Sequence, residues 1–159
     1  LAARIIDLGM TPIIDPLLEV ELIAVESEPF TDAAAVVATS RNALRALAQS
    51  PALAPALTLP LFAVGGRTEA LAREVGFQDV TRGPGTARAL AESIAAALSE
   101  RRKPIVYLAG ERLAFDLAPV LRSHGYDVRQ LTVYRTVAAK SMRPETIASI
   151  TTGGIGLVC

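Results

Sequence analysis

The strongest constraint on this chain is a unit that recurs along it: a short apolar run, a turn of Gly, Ser or Thr, then an Ala- and Leu-rich helical stretch. Residues 34–38 lead through Thr39-Ser40 into a helix over 41–49, with Ala43, Leu44 and Leu47 on one face. Residues 61–64 lead through Gly65-Gly66 into a helix over 67–75 that Gly76 closes as a C-cap. Asp79-Val80 is a minimal strand before Arg82-Gly83-Pro84-Gly85, and Thr86 is an N-cap for a helix over 87–100 striped by Leu90, Ile94, Ala97 and Leu98. Residues 104–109 run into Gly110 and a helix over 111–124, ended by Gly125, and 128–137 is the last clear strand. Strands without polar alternation, each joined to the next through a helix, need cover on both faces. The expected fold class is therefore α/β with a doubly wound parallel sheet.

Two stretches break the rhythm. Residues 13–24 are extended and alternate acidic with apolar side chains, and after residues 132–138 the chain turns polar before a helix over 144–150. Paired with each other they would form a two-stranded strap between lobes. The expected organisation is bilobal. Residues 1–22 and 138–159 form an incomplete, discontinuous first lobe, and residues 23–137 form a complete second lobe with linker strands at its ends. The chain opens without Met in a helical pattern (Leu1, Ile5, Leu8), and Gly156-Leu157-Val158-Cys159 reads as a strand just begun, so an interior fragment, or a longer protein with its ends missing, is expected.

Charge excludes several functions. Sixteen basic and sixteen acidic residues cancel, so no global field favours nucleic acid or an anionic membrane, and a charged ligand must be met locally. One Cys and one His, His124, leave no disulfide framework and no His/Cys metal site. No apolar run spans a bilayer, and 51% hydrophobic content supports a buried core. The expectation is a cytoplasmic monomer with no metal, cofactor, nucleic-acid or membrane partner.

In a doubly wound sheet, ligands bind at the carboxyl ends of the strands, where helix N-termini aim free N–H groups into the crevice. Here that edge comprises Thr39-Ser40-Arg41-Asn42, Gly65-Gly66-Arg67-Thr68, Gly83-Pro84-Gly85-Thr86 and Gly110-Glu111-Arg112. Three turns put an Arg at a helix start and Arg82 and Arg88 flank the fourth, an arrangement unfavourable to the helix dipole and suited to an anionic ligand. Solvated helix-forming arginines are the plain alternative. Gly83-x-Gly85 lacks the third glycine of a dinucleotide fingerprint, and neither a Gly-Lys-Ser/Thr P-loop nor a Gly-x-Ser-x-Gly elbow occurs. The residues alone leave an enzyme without an activated nucleophile, or a non-catalytic doubly wound module binding a small anionic metabolite. A nucleotide-dependent oxidoreductase is a third reading that the broken glycine pattern opposes.

Five pieces, in order, resemble uroporphyrinogen-III synthases. They are Leu8-Gly9 with Pro12 and Pro16-Leu17-Leu18-Glu19; Val37-Ala38-Thr39-Ser40-Arg41-Asn42-Ala43; Ala63-Val64-Gly65-Gly66-Arg67-Thr68 with Leu71 and Gly76; Leu117, Leu121, Gly125 and Val128; and Val133-Tyr134-Arg135-Thr136. Together they span nearly the whole chain. Glu69, where small residues are common, and Arg112, a few positions early, depart from the family's pattern.

The resemblance implies two flavodoxin-like lobes joined by a two-stranded linker. It also implies cyclisation of hydroxymethylbilane, a linear tetrapyrrole with eight carboxylates, to uroporphyrinogen III with ring D inverted through a spiro intermediate and loss of water. Tyr134 is the candidate catalytic residue, its phenol assisting departure of the hydroxyl; the alternative is a Tyr packed in the strap. Thr39, Ser40, Arg41, Gly66, Arg67, Thr68, Thr86, Gly110 and Arg112 are the candidate substrate contacts, although Ser40 and Thr68 could equally serve as helix caps.

Overall fold

A computed structural model describes residues 2–158 and is an α/β fold built on one six-stranded sheet. The expectations for Leu1 and Cys159 lie outside the described residues. The chain divides into two compact units, residues 20–136 and residues 1–19 with 137–159.

The larger unit carries the strands β2 (Ala35–Ala38), β3 (Leu61–Ala63), β4 (Val80–Arg82), β5 (Ile105–Gly110) and most of β6 (Val128–Ala138). All four pairings among these strands are parallel, in the order β6-β5-β2-β3-β4. In chain order this reads 3-2-1-4-5, whereas flavodoxin itself reads 2-1-3-4-5; the two share the doubly wound layout and a switch point beside the first strand. Here the switch point lies between β2 and β5. Next to β6 runs β1 (Leu18–Leu22). Ile23 N–H donates to Val133 O at 2.9 Å, and Arg135 Nε donates to Glu21 at 2.6 Å across the same pair.

Alternate residues of each strand feed two cores, which is why the strands read as unbroken apolar runs. Val36, Ala38, Leu61, Ala63, Val106 and Leu108 face α2 (Arg41–Ala48), α3 (Leu53–Ala56) and α4 (Gly66–Val75). Ala35, Val37, Phe62, Ile105, Tyr107 and Ala109 face α5 (Ala87–Ala97) and α6 (Ala118–Ser123). Leu44 and Leu47 of α2 and Leu90 and Ile94 of α5 are fully buried in these layers, each worth roughly 1.5–3 kcal/mol of transfer free energy.

Helix starts and stops follow local chemistry. The Thr86 hydroxyl accepts from Ala89 N–H at 3.3 Å, and Gly76 takes φ 120° at the end of α4, a left-handed conformation that suits glycine. Thr86→Ala is expected to cost about 1 kcal/mol in chemical denaturation, with Thr86→Ser close to wild type.

Several elements differ from the sequence reading. The helix expected over 111–124 covers only Ala118–Ser123: Pro119 has no N–H and is tolerated only in a first helical turn, so residues 111–117 are irregular. The helix expected to reach residue 100 ends at Ala97, where Leu98 turns extended and the Tyr126 hydroxyl caps its carbonyl. The short helix α3 has no counterpart in the sequence reading, and Gly156 to Val158 are not a strand.

The smaller unit contains α1 (Ala2–Asp7) and α7 (Pro144–Thr151). The Arg143 side chain donates to Ile14 O at 2.7 Å and its N–H to Asp15 Oδ2 at 3.0 Å, while Ala139 N–H donates to Leu17 O at 2.9 Å. Among the described residues no helix is long and apolar enough to cross a membrane.

Candidate functional site

The carboxyl ends of β2, β3, β4 and β5 gather most of the candidate residues on one edge of the larger unit. The mouth of β3 and β4 is shaped by glycine. Gly83 N–H donates to Ala63 O at 2.7 Å and Gly85 N–H to Val64 O at 2.8 Å, so the turn after β4 lies flat on the end of β3. A Cβ at Gly83 would sit 2.7 Å from Leu90 Cδ1 and 3.1 Å from Ala63 O, a crowding that no other residue type accommodates without movement. The result is an open depression lined by Gly65, Gly66, Arg82, Gly83, Pro84 and Gly85.

The N-terminus of α4 opens at this depression. Thr68 and Glu69 N–H both bond to Gly65 O, so the N–H groups of Gly66 and Arg67 precede the first helical bond, as the geometry of a helix start requires. Arg82 brings its guanidinium to 3.4 Å from where a Gly66 Cβ would stand. Two free amides, a helix dipole and a cation converge there, a combination suited to a carboxylate. Arg41, Arg67 and Arg112 are exposed and form no ion pair among the described residues.

Side-chain roles separate on inspection. The Ser40 hydroxyl accepts from Asn42 N–H at 3.1 Å, so it caps α2, as Thr86 caps α5. Thr68 is no cap: Gly65 occupies that position and Thr68 is buried in the first turn of α4 at 5% exposure. The expectation that Gly110 and Arg112 open a helix is corrected. Gly110 ends β5, Arg112 lies in the irregular segment before α6, and no helix N-terminus is present at either.

Gly110 has a different use. A register shift between Ala109 and Gly110 sets Gly110 opposite Tyr134 of β6, and Glu111 N–H donates to Tyr134 O at 2.9 Å. A Cβ on Gly110 would lie 2.6 Å from Tyr134 Cζ and 2.7 Å from its Oη. The phenol therefore lies over the bare Cα of the glycine, half-buried against the core on the α2 and α4 face.

On the opposite face of the sheet stands a residue that sequence reasoning missed. Tyr107 is fully buried on β5, and its hydroxyl lies 3.3 Å from Thr39 Oγ1 at the end of β2. Burial pushes its pKa up, the Thr39 hydrogen bond opposes that, and the charges of Asp116 and Tyr134 reinforce it. The available signal was one phenol inside an otherwise aliphatic strand, which needs a polar partner when buried. Thr39 and Tyr107 thus meet at the switch point between β2 and β5, and Gly110 and Tyr134 meet between β5 and β6. Gly66 lines the depression at the mouth of β3 and β4, with Arg67 and Thr86 next in sequence to its lining residues. Among the described residues no group of three His, Cys, Asp or Glu side chains could hold a metal ion.

A doubly wound sheet with its polar groups drawn to the carboxyl edge defines an α/β protein of the class that takes ligands at the switch point. The family model described as "Uroporphyrinogen-III synthase HemD" matches residues 1–159. The chain belongs to the uroporphyrinogen-III synthase family. It is similar to the solved uroporphyrinogen-III synthetase of Helicobacter pylori, with 25% identity, a TM-score of 0.68, and coverage of 87% of this chain and 61% of that one. A mutant uroporphyrinogen III synthase from Thermus thermophilus shares the fold at 21% identity and a TM-score of 0.56, with coverage of 96% of this chain and 64% of that one. The chain thus spans 61% and 64% of the lengths of these two structures. No curated protein matches it.

Proposed function

We propose that the protein cyclises hydroxymethylbilane to uroporphyrinogen III, inverting ring D. The observation that carries this reading is the Tyr134 phenol held over Gly110 at the carboxyl end of β5 in a chain of this family. Loss of the terminal hydroxyl as water leaves an electrophilic azafulvene. The substituted position of ring D attacks it to give a spiro-pyrrolenine, which fragments and recloses with the ring turned. Tyr134 donates a hydrogen bond or proton to the departing oxygen. Closure without the enzyme gives the uninverted isomer, so the main task is to hold the conformer in which the hindered attack wins.

The substrate's carboxylates supply the anionic ligand that the edge calls for. In this reading the amides of Gly66 and Arg67 and the guanidinium groups of Arg41, Arg67 and Arg82 hold carboxylates, with Thr39, Ser40, Thr68, Thr86, Gly110 and Arg112 as neighbouring contacts. Residues 1–22 and 138–159 are read as belonging to a first lobe and 23–137 as a second. The protein is read as a cytoplasmic monomer that engages neither nucleic acid nor membrane.

The test is incubation with freshly made hydroxymethylbilane followed by separation of the isomers. Type III product is expected. Type I alone would leave a module that binds a small anion and does no chemistry.

A further inference from the structure

Tyr107 is the only polar side chain in β5, and nothing about sheet packing requires its hydroxyl: Phe would fill the same volume between β5 and the α5–α6 layer. The hydroxyl meets Thr39 Oγ1 at 3.3 Å, a distance at which either oxygen could donate. Hydrogen-bond accounting decides between them. A buried O–H without an acceptor forfeits a full hydrogen bond, whereas an oxygen that accepts none loses less. Thr39 Oγ1 is the sole acceptor for this phenol among the described residues, so Tyr107 donates. Thr39 is half-exposed at the strand mouth, and with one lone pair engaged behind it, its own proton turns outward.

We infer that Tyr107 is a positioning residue that fixes the Thr39 hydroxyl as an outward-facing hydrogen-bond donor, selecting an anionic oxygen, here a substrate carboxylate, at that point of the edge. Tyr107 touches no substrate and acts through Thr39. The inference rests on the proposed function for the identity of the ligand, but the hydroxyl pairing stands apart from it.

The experiment combines isomer-resolved kinetics with proton NMR on wild type, Tyr107→Phe, Thr39→Val, Thr39→Ser and the Tyr107→Phe/Thr39→Val double variant. Tyr107→Phe is expected to raise KM about three- to tenfold with kcat nearly unchanged, and the double variant to be no worse than Thr39→Val alone. Thr39→Ser, which keeps the hydroxyl, restores wild-type KM. In the NMR arm, a slowly exchanging Tyr107 hydroxyl proton persists in wild type and Thr39→Ser and is lost in Thr39→Val. Unchanged KM in Tyr107→Phe, multiplying effects in the double variant, or a serine variant that behaves like valine overturns the inference. Thr39→Ser and Thr39→Val decide the matter even if Tyr107→Phe folds poorly. Type I product from wild type sinks the proposed function and the carboxylate with it, while the NMR arm still reports whether Tyr107 and Thr39 are paired.

Discussion

On the proposed function, Tyr134→Phe is expected to lower the rate of type III formation by about a hundredfold or more while the melting temperature stays near that of wild type. The two halves of this result have separate causes. The ring packs against the core on the α2 and α4 face, and Phe keeps that packing. The hydroxyl makes no hydrogen bond among the described residues, so its removal leaves no buried partner stranded. What disappears is the hydroxyl above Gly110, the proton donor of the proposed reaction. Rapid-quench assays with isomer separation, run beside thermal melts, check both halves. A variant that turns over as fast as wild type removes Tyr134 from the chemistry.

Gly110→Ala produces a comparable loss of turnover by a different route, with a penalty of about 1–3 kcal/mol in stability. The added methyl would stand 2.6–2.9 Å from two ring atoms and the hydroxyl oxygen of Tyr134, and the bonded ladder from β5 to β6 leaves the backbone little freedom to retreat. The phenol must swing away. Combining Gly110→Ala with Tyr134→Ala removes the obstruction, so the double variant melts no lower than Tyr134→Ala alone. If Gly110→Ala keeps wild-type rate and stability, the close approach of ring and glycine is not what sets the site.

The layout of the larger unit was legible because its strands are buried on both faces and cannot alternate with polar residues. From Ile105 to Gly110 every residue is buried, and no local pattern other than a parallel, covered strand accounts for that run. The cap at Thr86 and the stop at Gly76 were also readable, since each depends on neighbours within a few residues, while Ser40 stood equally as cap or substrate contact. Pro119 carried the information that shortened α6, but the apolar spacing through Leu117 and Leu121 obscured it.

The candidate site was less legible because its decisive contacts are long-range. Gly110 looked like the first turn of a helix, yet its role is set by a side chain 24 positions later, through a bulge that no local pattern announces. Tyr107 read as one more core residue, since its partner Thr39 lies 68 positions earlier on the neighbouring strand.

The central position of β5 bears on how this edge can move. Its amides are bonded between β2 and β6 and sealed from water, so they exchange with solvent only when the whole sheet opens. Tyr107 and Gly110 both stand on that strand, and the floor beneath Tyr134 is therefore the part of the chain slowest to yield. Any adjustment to an incoming molecule falls instead to residues 111–117, the irregular segment that follows the strand.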